Sequence, residues 1–208
     1  MSFRAPFRFV AVLAGLVLTL ASAAQADVIL GNYPPTNDNT QTAFVNQARQ
    51  KAIGFITPSS SIEVENVILR LEFTALNQVP VLGIWSNSAA NQPGTLLHSF
   101  TNPASFSLGI DDYTFDSSGF TLEPDTRYWL RLSGAIANNS MNWKASSPAV
   151  TPTGLATFDG NLFTTDGGST WSSSSIISTF QINGVVPEPG SLGVLAAGGA
   201  LLLVRRRR

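Results

Sequence analysis

The central part of this chain is predicted to be all-β, a single β-sandwich. Three observations predict it. Short segments rich in β-branched and aromatic residues recur between clusters of Gly, Pro, Asn and Ser. No central stretch keeps a long helical period, and no alternation of strands with helices supports a parallel sheet. Residues 27–186, 160 positions, have the size of one domain with its own core.

Taken in order, the predicted strands are Ala52–Thr57, Ile62–Phe73, Val81–Trp85, Leu96–Phe100, Tyr113–Phe115, Tyr128–Ser133, Met141–Lys144, Leu155–Phe158 and Ile176–Ile182. Alternation is clearest in Ile62–Phe73, where Ile62 and Val64 fall on one face and Val67, Leu69, Leu71 and Phe73 continue it after a slip of phase. That slip predicts a bulge near Asn66. Tyr128, Leu130 and Leu132 share one face of their strand, with Trp129 and Arg131 on the other. Turn chemistry fills the gaps: Thr57-Pro58-Ser59, Asn91-Gln92-Pro93-Gly94, Asp116–Gly119, Glu123-Pro124-Asp125 and Asp166-Gly167-Gly168. Gln41–Lys51 has room for one short helix at best. Leu69, Leu71, Tyr128 and Leu130 are expected in the core.

The two ends read as addresses. Arg4 and Arg8 precede the thirteen-residue apolar run Phe9–Ala21 and the small-residue site Ala24-Gln25-Ala26. These are the parts of a secretory signal, residues 1–26, whose removal by signal peptidase exposes Asp27. Ala21-Ser22-Ala23 is a weaker alternative site. Thirteen helical residues span about 20 Å, short of a ~30 Å hydrocarbon core, which disfavours an N-terminal anchor. At the other end Pro187-Glu188-Pro189 leads into the apolar stretch Gly190–Val204 and then Arg205, Arg206, Arg207 and Arg208. Residues 190–204 are expected to form a transmembrane helix, about 22 Å long and marginal for a full span. The arginines snorkel to the headgroups and hold the tail on the cytoplasmic side. By physics alone a plain tail anchor and a sorting segment both fit.

The order Val186-Pro187-Glu188-Pro189-Gly190, apolar helix, terminal arginine block resembles the PEP-CTERM sorting signal of Gram-negative bacteria, over residues 187–208. The resemblance implies recognition by an exosortase, a membrane cysteine protease-transpeptidase, and loss of the helix. It also implies a host that makes exopolysaccharide. The protein would face the periplasm from the inner membrane before processing, in transient membrane contact, and then reach the cell surface or extracellular matrix. Pro187, Glu188 and Pro189 would be a substrate motif and not a catalytic one.

A second resemblance spans most of 27–183. It rests on Ile53-Gly54-Phe55-Ile56-Thr57 before a long strand, Val81–Trp85 followed by Pro93-Gly94, and Tyr113-Thr114-Phe115. It continues through Leu122-Glu123-Pro124-Asp125-Thr126-Arg127-Tyr128-Trp129 to Trp143 and Trp171. Together these are similar to the choice-of-anchor R type of exported bacterial domain. That resemblance implies a sandwich of jelly-roll type and brings no activity with it.

Composition narrows the chemistry. Residues 27–186 hold six Lys and Arg against twelve Asp and Glu, a net charge of −6, which argues against nucleic acid as a partner. The chain has no cysteine, so disulfides, thiol nucleophiles and thiolate metal sites are excluded. Thr164–Trp171 resembles an Asp-box hairpin, but one copy cannot build a propeller, so a structural turn is the favoured reading. Asp111, Asp112 and Asp116 offer oxygen ligands to calcium but lack EF-hand spacing, and loop acids more often end turns. No cofactor is therefore expected, with calcium the single alternative.

His98, the only histidine, has no nucleophile elbow to serve and reads as a hydrogen-bonded strand side chain. Glu63 and Glu65, about 6.6 Å apart along a strand, match a glycosidase pair on distance alone, and an outward acidic face explains them as well. Trp85, Trp129, Trp143 and Trp171 are the candidates for stacking on sugar. In a sandwich of this size most of the four should be core. Trp129 stands out because it points away from Tyr128, Leu130 and Leu132, although sheet-to-sheet packing could bury it as well. The expectation is an exported, non-enzymatic surface or matrix protein associated with exopolysaccharide in a biofilm. A carbohydrate-binding module is the alternative, and a glycan-active enzyme ranks behind it.

Overall fold

A computed structural model describes residues 26–35, 37 and 41–187. Of the sorting and processing residues, Ala26, Asp27 and Pro187 fall within that range. Ala24, Glu188, Pro189, the expected helix 190–204 and Arg205–Arg208 lie outside the described residues. Among the described residues the chain is all-β. It comprises β1 (Asp27–Gly31), β2 (Gln41–Val45), β3 (Gln50–Ile56), β4 (Ile62–Phe73), β5 (Pro80–Asn87) and β6 (Pro93–Ser99), followed by β7 (Gly109–Leu122), β8 (Arg127–Gly134), β9 (Met141–Ala145), β10 (Thr157–Thr164), β11 (Ser172–Ser173) and β12 (Phe180–Val185). No helix there is long and apolar enough to cross a membrane.

Two antiparallel six-stranded sheets result, an arrangement compatible with a β-sandwich. The first runs β1-β12-β4-β9-β2, with β7 also on β4, and the second runs β11-β10-β3-β8-β5-β6. Because β7 pairs with β4 along its whole length, β12 and β9 lie in tandem on the opposite edge of β4. One core joins both sheets: Val67, Leu69, Leu71, Phe73, Phe115 and Trp143 from the first meet Ile53, Phe55, Ile84, Leu130 and Leu132 from the second. Leu69, Leu71, Tyr128 and Leu130 are all buried, as their alternation requires.

The bulge expected near Asn66 is present. Asn66 pairs with Asn183 and Val64 with Gly184, leaving Glu65 as an extra residue on β4. On the other edge Asp116 pairs with Asn66 and Phe120 with Val64, so β7 spends Ser117–Gly119 where β4 spends Glu65. The turn before β8 is tied from two sides. The Glu123 amide donates to the Tyr128 hydroxyl at 3.0 Å, and the Thr57 hydroxyl donates to the Glu123 carbonyl at 2.7 Å.

Four expectations are corrected. Asp116–Gly119, read as a turn, lies inside β7 as its bulged stretch, because β4 pairs with β7 on both sides of it. Gln41–Lys51 forms no helix. Its first five residues pair with β9, and Asn46 Oδ1 then accepts the Ala48 and Arg49 amides at 2.8 and 2.7 Å. Such an Asx turn competes with helical bonding and lets the chain pass from one sheet to the other. The strand expected at Leu155–Phe158 runs instead over Thr157–Thr164, because the Leu155 and Ala156 amides bond to Val28 and Ile29 in β1 before the chain crosses over. The strand expected at Ile176–Ile182 begins at Phe180, because the backbone before it is engaged elsewhere. The Ile176 carbonyl accepts from Lys51 and Asn161, and the Thr179 amide donates to the Lys144 carbonyl.

Candidate functional site

Placed in the fold, most of the sequence-selected residues turn out to be committed to structure. Trp129 lies on the outer face of the second sheet as its alternation requires, but it is only 2% exposed. Its indole N–H donates to Asn87 Oδ1 at 2.9 Å. The ring covers Gly54, where an added Cβ would meet it at 2.8 Å. A ring enclosed in this way offers little open face for a sugar, and packing has buried the side chain that its alternation turned outward. Trp143 is fully buried and donates to the Thr179 carbonyl.

Trp85 and Trp171 are half-buried and flank Arg131, whose guanidinium carbon lies 4.1 and 5.4 Å from their rings. This stack holds the Thr164–Trp171 loop on the sheet. The loop is built as its sequence suggests. Asp166 accepts from the Thr164 and Thr170 hydroxyls and the Thr170 amide, and these bonds hold its carboxyl well below the usual carboxylate range. Gly168 adopts φ +99°, and an added Cβ would lie 2.9 Å from Arg131.

The carboxylates do not converge. Asp112 is bound by Arg70 at 3.0 Å and by the Tyr33 hydroxyl at 3.1 Å. Asp111, the next residue along β7, points to the opposite face and accepts from Ser107. Asp116 follows Asp112 on the same face about 13 Å along the strand. Among the described residues no three His, Asp or Glu side chains are placed to hold a metal ion. Glu63 and Glu65 are both exposed, flanking the buried Val64. His98 lies within hydrogen-bonding distance of the Ser117 hydroxyl at 3.1 Å and stacks on Phe120, and burial lowers its pKa below the ordinary histidine value.

The most site-like feature comes from residues the sequence reading did not single out. Where edge strand β2 of the first sheet faces the β10–β11 margin of the second, a cleft of about 350 Å³ opens. It lies within the size range of small-molecule sites. Phe44 and Phe163 give it aromatic walls and are 50% and 37% exposed. Thr165, Ser173 and Ser175 supply exposed hydroxyls, and Arg49 and Lys51 supply positive charge.

Lys51 is the unusual member. Its alternation in β3 puts it on the face of Ile53 and Phe55, and it is only 3% exposed. Its ammonium donates to the Ser174 hydroxyl at 2.7 Å and to the Ile176 carbonyl at 2.9 Å. Among the described residues no ion pair joins it to a carboxylate. Burial alone pushes its pKa down to about 8. One signal in the sequence could have found it: the alternation Lys51, Ile53, Phe55 points a lysine inward. Phe44 and Phe163 carried no such signal, because their meeting depends on how the two sheets are stacked.

No family model and no curated protein matches the chain.

Proposed function

We propose that this is an exported, non-enzymatic protein of the cell surface or extracellular matrix. In this reading signal peptidase releases it from its leader, an exosortase sorts it through Pro187-Glu188-Pro189, and it associates with exopolysaccharide. The observation that supports the reading is where the first and last strands of the described residues lie. β1 begins at Asp27, the residue that signal cleavage would expose, and pairs with β12, which ends at Val185 just ahead of Pro187. Asp27 faces Gly184, so the first and last strands begin and end at one edge of the same sheet. Among the described residues every strand lies within Asp27–Val185, between the two proposed export segments.

The jelly-roll assignment belongs to the same reading. It is supported by the connections, most of which pass from one sheet to the other (β2 to β3, β3 to β4, β4 to β5, β6 to β7, β7 to β8, β8 to β9, β9 to β10, β11 to β12) as in folds of that kind. The test is localisation. Glu188→Ala, or loss of the host exosortase, should leave the protein in the inner membrane with its tail attached, while mass spectrometry of released wild-type protein should find Asp27 first. Unchanged release in both backgrounds would reduce the tail to a plain anchor and refute the sorting reading.

A further inference from the structure

The geometry points to the cleft between β2 and the β10–β11 margin as a binding site for a carboxylated sugar, a uronic acid unit of an acidic polysaccharide. For the place where such a polymer is met, the inference rests on the export reading above. For the binding itself it rests on the cleft alone.

Charge makes the first part of the argument. Residues 27–186 carry a net −6, and an anionic polymer is repelled by most of such a surface. The cleft reverses that sign: Arg49 and Lys51 line it, and among the described residues no Asp or Glu does. Lys51 has two of its N–H donors engaged by neutral oxygens and no carboxylate in ion-pair range among the described residues. An ammonium held that way is a cost to the fold that an incoming carboxylate would offset by a charge-assisted hydrogen bond.

The rest of the lining selects a sugar over a bare anion. Phe44 and Phe163 remain substantially exposed, and flat apolar faces stack against the C–H face of a pyranose. Thr165, Ser173 and Ser175 present hydroxyls that can exchange hydrogen bonds with ring substituents. The second cleft, about 410 Å³ on the far side of Ser173–Ser175, lacks this combination. Its cation Arg127 is already paired with Asp159, and its tryptophan is the buried Trp129.

The experiment is calorimetric titration of the full-length chain, purified in mild detergent, with tetragalacturonate. A neutral galactose tetramer and inorganic phosphate serve as comparison ligands. Tetragalacturonate should bind at least tenfold more tightly than either. Lys51→Met should lose at least tenfold in affinity, and Phe163→Ala should also weaken binding. Circular dichroism of each variant separates lost binding from lost folding, and Arg49→Gln gives a second, exposed probe of the same charge. Equal binding of the neutral tetramer, or no effect of Lys51→Met and Arg49→Gln, would overturn the site. Equal affinity for phosphate would overturn the sugar assignment. Because purified protein is used, these outcomes are independent of whether Glu188→Ala alters sorting.

Discussion

Lys51→Met should make the folded domain more stable at neutral pH. In the fold, burial lowers the lysine pKa from 10.5 to about 8. Above pH 10.5 both folded and unfolded chains hold a neutral amine, and Lys51 imposes no charge penalty. As pH falls from 10.5 to 8 the unfolded chain takes up the proton first, so stability is lost through that window and stays low beneath it. A gap of about 2.5 pH units corresponds to about 3 kcal/mol at pH 7. Methionine keeps the apolar stem and removes the charge but gives up two hydrogen bonds. The Ile176 carbonyl keeps Asn161 as a donor at 2.6 Å, so the main loss is at the Ser174 hydroxyl, about 1 kcal/mol. The variant should therefore gain about 2 kcal/mol at pH 7 and lose about 1 kcal/mol above pH 10.5. Urea denaturation followed by tryptophan fluorescence at pH 7, 9 and 10.5 measures this, and the difference between variant and wild type cancels the tyrosines. Equal destabilisation at all three pH values would refute the reasoning, because it would mean that Lys51 is not desolvated.

Other substitutions probe the core, the outer face and the loop. Leu71→Ala and Leu130→Ala each empty a fully buried position at the sheet interface and should cost about 2–5 kcal/mol in chemical denaturation. Trp129→Ala should cost about 3–5 kcal/mol while leaving tetragalacturonate affinity of the folded fraction unchanged, which separates its packing role from ligand binding. Gly54→Ala places a Cβ 2.8 Å from the Trp129 ring and 3.2 Å from the Asp159 carbonyl and should destabilise by about 1–3 kcal/mol, visible as a shifted denaturation midpoint. Gly168→Ala should cost about 1–3 kcal/mol through its positive φ, and hydrogen exchange should show faster opening of residues 164–171.

Sequence by itself determined the all-β class, the length and bulge of Ile62–Phe73, and the core faces of that strand and of Tyr128–Leu132. The reason is local: side chains alternate every two residues, so burial of one face is written along the strand. The loop at Thr164–Trp171 was legible for a similar reason, since Asp and Gly fix their own turn. Other features depended on partners distant in the chain. Trp129 alternates outward, and only the course of β3 and β10 across its ring buries it. Gln41–Lys51 became a strand and an Asx turn because β9 supplied an edge to pair with. The cleft is the clearest case. Lys51, Phe163 and Ser173 come from three neighbouring strands of the second sheet, joined by long-range pairing, and only the stacking of the two sheets brings Phe44 to them. A two-residue period specifies which way a side chain points, whereas what it meets there is decided by tertiary packing.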